Sequence, residues 1–171
     1  MSVTPKTPVG KVRRLRQTSF RWQFPERALH VVDIENLAGA AVPSLALVAE
    51  VQGRYFARLD LGTDDQVVMA ASHLSLLDAA RGWPHARYRV RSGKDGADLA
   101  LIDVLEHENV AARFSHVVIG SGDGLFGDAA ASLAARGVYV TVVSRKASLA
   151  QGLARAARDV IYLDGPLTAV A

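Results

Sequence analysis

Residues 29–37 read LHVVDIENL, a short and mostly apolar run closed by an aspartate, and the fold turns on this stretch. A run without polar alternation belongs in the interior of a parallel sheet, covered on both faces. An acid directly behind such a strand must face a crevice or find a buried partner. Two further runs have the same character: HVVIG at 116–120, followed by SGDG, and VYVTVVS at 138–144. Between and around them lie helical patterns, and short apolar strands alternating with helices are the mark of a parallel sheet wrapped by helices.

Working outward, the first strand spans 29–34. A loop with Gly39 follows, then a helix that Pro43 can open at its first turn and that ends near Ala57. After the loop LDLGTDD, the second strand covers 66–71 and Ser72 is placed to N-cap a helix ending at Gly82. The third strand, 86–91, alternates Tyr88 and Val90 with Arg87, Arg89 and Arg91, which predicts a sheet edge. The third helix runs from about Ala97 to Asn109, with Leu99, Ile102, Leu105 and Leu101 as its buried stripe. The fourth strand is 116–120 and leads into a helix reaching Arg136, with Gly137 beyond its end. A fifth strand at 138–144, a helix over 149–158 and a strand at 160–163 complete the series. Right-handed crossovers give an α/β fold with a doubly wound, mostly parallel open sheet of five to six strands and helices on both faces. Strands one and four then meet where the winding reverses, and ligands of such sheets bind in the crevice at that point.

Composition narrows the chemistry. The chain has 171 residues, half of them hydrophobic, and contains no cysteine, so thiolate nucleophiles, zinc fingers and iron–sulfur clusters are excluded and any metal must sit on oxygen or imidazole. No apolar run is long enough for a membrane span and no secretory h-region follows the basic start; the expectation is a cytoplasmic protein. The net charge of +3 is uneven. Residues 1–27 carry seven basic groups, among them Arg13, Arg14 and Arg16, against Glu26 alone, while 28–171 hold 13 basic and 16 acidic groups. The expected organisation is a basic arm at 1–27, a domain at 28–165 and a tail at 166–171. Phe20, Trp22 and Phe24 in the arm either stack on nucleic-acid bases or pin the arm to the body.

Three acidic motifs fall at the carboxyl edge of the expected sheet: Asp33 with Asn36 in VVDIEN, Asp98 in GKDGAD and Asp123 in IGSGDG. Each has an ordinary structural explanation, as a helix first-turn acid or a turn residue. Three converging on one crevice repel, and a divalent cation relieves the repulsion. Carboxylates, an Asn amide and water form a hard oxygen site suited to magnesium or manganese. Asp33 and Glu35 also make a DxE pair, but the residues a haloacid-dehalogenase-type phosphatase needs next are missing. His73 reads as an exposed first-turn residue, and His30 and His116 as structural histidines. Phosphate-cradling and dinucleotide-binding glycine motifs are absent.

The segments VVDIENL, GKDGADLAL and HVVIGSGDGLF, followed by AARGVYVTVV, resemble the signatures of the NYN domain, a branch of the PIN-like metal-dependent ribonucleases, over roughly residues 29–145. The resemblance implies a metal-dependent endoribonuclease acting on RNA with Mg²⁺ or Mn²⁺. Asp33, Asp98 and Asp123 are then the metal ligands, Asn36 completes the catalytic set, and Lys94 and Ser121 contact phosphate. In this reading the arm's Arg13, Arg14 and Arg16 bind substrate. Many relatives carry SGDxDF where this chain reads SGDGLF, so Leu125 occupies the place of a further acid, with Asp95 and Asp128 as unmatched substitutes. The alternatives are a non-catalytic RNA-binding module on the same fold and a metal-dependent phosphatase of small phosphates. RNA is the expected partner, a membrane is not, and a homo-oligomer is left open.

The arm generates a test of its own. Deleting residues 1–24 is expected to weaken RNA binding and flatten its salt dependence by roughly 0.7 in slope for each single-strand phosphate that the arm engages. Equal affinity and slope in the truncated and full chains would make the arm a structural or targeting element.

Overall fold

A computed structural model describes residues 27–164; the expected arm, with Arg13, Arg14 and Arg16, lies outside the described residues. Six strands form one sheet: β1 (Ala28–Asp33), β2 (Gln66–Ala71), β3 (Arg87–Val90), β4 (His116–Gly120), β5 (Tyr139–Ser144) and β6 (Asp159–Tyr162). They lie in the order β3-β2-β1-β4-β5-β6, and every neighbouring pair is parallel. The winding reverses between β1 and β4, where Val31 pairs with Ile119 and Val32 with Gly120. β3 closes one edge, as its alternation predicted.

Among the described residues, seven helices cover the sheet: α1 (Ile34–Ala38), α2 (Leu45–Phe56), α3 (Leu76–Gly82), α4 (Gly96–His107), α5 (Val110–Arg113), α6 (Gly127–Ala135) and α7 (Gln151–Ala156). The core has two halves because strand side chains alternate faces. Leu29 and Val31 of β1 join Leu101, Val104 and Leu105 of α4 and Leu133 of α6 on one face. Val32 joins Leu37, Val48, Tyr55 and Trp83 on the other, under α1, α2 and α3. Among the described residues, no helix is long and apolar enough to cross a membrane.

The departures from the sequence reading are local. Ile34, expected to end the first strand, and residues 35–38, expected as loop, form α1, and α5 was not foreseen. α2 is capped by Ser44, whose side chain accepts from the Leu47 amide, which leaves Pro43 outside the helix instead of in its first turn. α3 starts at Leu76 and not behind Ser72; Ser72 instead forms a turn in which its carbonyl accepts from Ser75 and Leu76. The stripe of α4 is rotated from expectation: Leu101, Val104 and Leu105 are buried, whereas Leu99 is 37% exposed. At its start α4 lies close on the preceding loop, where a Cβ added to Gly96 would stand 2.6 Å from the Arg91 carbonyl oxygen. His30 is structural, bonded through Nδ1 to the Tyr55 hydroxyl at 2.9 Å with Asp65 3.5 Å from Nε2. His116 bonds Thr141, and burial lowers its pKa to about 4, so it stays neutral at pH 7.

α2 and α3 approach closely at Gly82, where an added Cβ would lie 2.7 Å from Val48 Cβ and 2.9 Å from the Leu45 carbonyl oxygen. Gly82→Ala should therefore overpack the helix pair and cost about 1–3 kcal/mol, read as a lower urea midpoint with an unchanged slope. An unshifted midpoint would show that the two helices separate without strain.

Candidate functional site

Asp33 ends β1 and faces the same side of the sheet as Leu29 and Val31, toward the start of α4. It is 4% exposed. One carboxylate oxygen accepts from the Asn36 amide at 3.1 Å, which makes Asp33 the N-cap of α1. The other receives the Ser121 hydroxyl at 3.4 Å. α1 is terminated by Gly39 in the left-handed region (φ 68°), whose amide closes on the Glu35 and Asn36 carbonyls.

Across the crevice, Asp98 occupies the first turn of α4. Its carboxyl lies beside that of Asp33, and the repulsion between the two favours a proton held on the pair, while its Oδ1 is buried without a hydrogen-bond partner. Burial is the main reason the Asp33 pKa is raised to about 7; the Asn36 amide opposes the shift, and the charges of Asp98 and Glu35 add to it. Asp98 is raised as well, by burial and by the charges of Asp123 and Asp95.

Both acids line a cavity of about 350 Å³ at the carboxyl ends of the strands, together with Glu35, Asn36, Asp95 and Asp123. Asn36 connects its walls. Its side-chain oxygen accepts from the Gly122 amide at 2.9 Å and its carbonyl from Arg145 Nε at 3.1 Å. With the oxygen committed, the side-chain NH₂ is the donor left for a ligand. Asp123 caps the turn after β4 by accepting from the Leu125 amide at 2.9 Å.

The expected site residues divide by placement. Asp33, Asn36, Asp98 and Asp123 share the cavity. Asp33 and Asp98 make contact, whereas Asp123 reaches Asp98 through charge; among the described residues, no three acids or histidines are gathered closely enough to form a metal-ligand cluster. Ser121, expected to contact phosphate, is fully buried, its hydroxyl donating to Asp33 and accepting from the Asp123 amide, so it holds these two motifs together instead. Lys94 is exposed and outside the cavity lining, which includes its neighbours Gly93 and Asp95. Asp128 also lies outside the lining. His73 is exposed and bonded to Ser92.

Three lining residues were not anticipated as part of the site. Glu35 accepts from the Ser72 amide and the Ser75 hydroxyl, tying the turn after β2 to α1. Arg145 follows β5, and Arg91 follows β3. No sequence signal joins Arg145 to Asn36, since 109 positions separate them. The donor set suits a hard divalent cation: close carboxyls that share a proton, an orphaned buried carboxylate oxygen and an amide.

The family model for the NYN domain matches residues 56–164. This span contains the second and third acidic motifs. Asp33 and Asn36 lie before it and are brought to it by the fold, so the match begins later and runs further than the 29–145 expected. NYN domains are PIN-like nuclease-type domains, and such nucleases generally use divalent metal ions. A crystal structure of a protein of unknown function from Vibrio parahaemolyticus superposes with a TM-score of 0.57 at 18% identity, covering 84% of this chain and 96% of the other, and supports the fold. No curated protein matches the chain.

Because the folded-state pKa of Asp33 is raised, the stability it contributes is complete below its ordinary value near 3.8 and is lost as pH climbs to about 7. Asp33→Asn keeps an oxygen to cap Asn36 and removes the charge. In chelator, wild-type melting temperature should fall between pH 4 and 7, and the variant should lose most of that fall and melt higher at pH 8. Parallel pH profiles would place the burden on another group.

Proposed function

The chain belongs to the NYN domain family, and from that premise we propose that it is a metal-dependent endoribonuclease that cleaves RNA in the cavity at the β1–β4 switch point. The observation carrying this reading is the Asp33–Asp98 pair: a buried carboxyl beside a half-buried one whose Oδ1 no protein donor satisfies. Asp33 and Asp98 would hold Mg²⁺ or Mn²⁺, with Asp123 adding negative charge from the same cavity. When bound, the ion supplies Lewis-acid polarisation of a phosphoryl oxygen and activation of water.

The remaining chemistry belongs to the chain's own groups. The free NH₂ of Asn36 donates to the attacking water or to a non-bridging phosphate oxygen. Its orientation is fixed by Gly122 and Arg145 on either side, and such fixed positioning lowers the entropic part of the barrier. Ser121 holds Asp33 from behind. Arg91 and Arg145 place cations in a wall that is otherwise acidic, which suits a phosphodiester better than a neutral substrate. Ionising both acids for the metal requires loss of their shared proton, so metal affinity should rise with pH up to about 7.

Leu125 supports a second reading. It is 46% exposed in the turn after β4, at the position where the resemblance to NYN domains implies an acid, and a site short of one carboxylate fits an RNA-binding module without turnover.

Labelled RNA incubated with manganese or chelator separates the two readings. Wild type should cut internally only with metal. Asp33→Asn and Asp98→Asn should each lose at least 100-fold in rate, since about 1.4 kcal/mol of transition-state stabilisation is tenfold and a positioned metal supplies several kcal/mol. Leu125→Asp should raise the rate. An inactive wild type with an active Leu125→Asp variant would establish the binding module, and cleavage undiminished in both Asn variants would remove these acids from the chemistry.

A further inference from the structure

Arg87, Arg89 and Arg91 alternate along β3 and its end, so their side chains leave from one face, the face on which α4 packs. Arg87 and Arg89 each donate to a different oxygen of Glu108, at 2.7 and 2.6 Å. Arg113 stands 3.8 Å from the same carboxylate, and Arg91 lies 3.5 Å from Asp103. Ion pairing is the commonest fate of surface arginines. Here three guanidiniums share Glu108, so one carboxylate leaves an excess of positive charge that an anion would balance. The four arginine side chains are 40–50% exposed, and each guanidinium has five donors of which the carboxylates occupy few.

Position gives this charge a direction. The cleft between β3 and α4 is lined by Arg89, Arg91, Asp103 and Glu108, Arg87 stands one alternate position further along β3, and Arg91 also lines the acidic cavity, so the arginine row leads to that cavity's edge. Alternate residues of a strand are roughly 6.6 Å apart, comparable with the step between successive phosphates of a single nucleic-acid strand. β3 is an edge strand, and among the described residues no further strand of the sheet covers its outer side.

We propose that the β3–α4 cleft is a track for the backbone of single-stranded RNA, with Arg87, Arg89 and Arg91 each engaging a phosphate and leading the strand into the acidic cavity. The proposal rests on the reading of that cavity as an RNA-cleaving site. Glu108 holds the arginines extended in the free protein, and incoming phosphates take over their donors. In this account the acidic cavity attracts no polyanion by itself, and the arginine row supplies the attraction.

The test is binding of a short labelled single-stranded RNA to the full chain in chelator across a salt series, which keeps the outcome independent of cleavage. R87Q/R89Q should bind several-fold more weakly, with the slope of log affinity against log salt reduced by about 1.4, roughly 0.7 for each phosphate no longer neutralised. Glu108→Gln should act in the opposite direction, tightening binding and steepening the slope, which a loss of folding cannot do. Equal slopes in wild type and R87Q/R89Q would overturn the track and leave the catalytic reading standing. So would weakened binding in Glu108→Gln, and a wild type that binds no RNA would overturn it as well.

Discussion

A carboxyl group buried at the end of a central parallel strand is the constraint around which this domain is arranged. Asp33 is almost fully enclosed, and a charge there would be costly without compensation. Its neighbourhood supplies part of what it needs: an amide from Asn36, a hydroxyl from Ser121 and a proton shared with Asp98. Each of these fixes something else. The amide starts α1, the hydroxyl binds the β4 turn to β1, and the Asp98 carboxyl meets Asp33 from the first turn of α4. Asn36 then spends its carbonyl and its side-chain oxygen on Arg145 and Gly122, so a single short helix joins four segments of the chain.

The sheet was legible because its strands bury both faces, and nearly continuous apolar runs at 29–33, 116–120 and 139–144 admit few other structures. That strands one and four are neighbours followed from handedness. α1 was missed because five residues give no helical period to read, although an Asp three positions before an Asn and a Gly after Ala38 are its caps. The α4 stripe was misread because Leu99 is larger and more apolar than Gly96 or Ala97, whereas Leu101, Val104 and Leu105 are the residues that fill the core. Ser72 was misassigned as a cap since nothing local reveals that its amide is held by Glu35 from another strand end.

The site was partly legible for a related reason. Acids at strand ends converge whenever the sheet is doubly wound, so Asp33, Asp98 and Asp123 were brought into one cavity by topology alone. The sequence could not show that Asp33 and Asp98 touch while Asp123 turns its side chain to its own loop. Nor could it show that Ser121 is sealed behind the acids and that Arg145 arrives from the far side of the sheet. Long-range contacts of single residues leave no periodic trace. The basic residues of β3 have the alternation of an edge strand's wet face; the structure adds that they run toward the cavity, beside the acids of α4.

The account depends on a proton that a divalent cation replaces between Asp33 and Asp98. Titration calorimetry of the full chain with manganese, repeated at one pH in buffers of different ionisation enthalpy, measures that replacement directly. At pH 6 the account predicts release of about one proton per bound ion, falling toward none above pH 8. Binding without proton release at pH 6, or release that persists unchanged in Asp33→Asn, would contradict it.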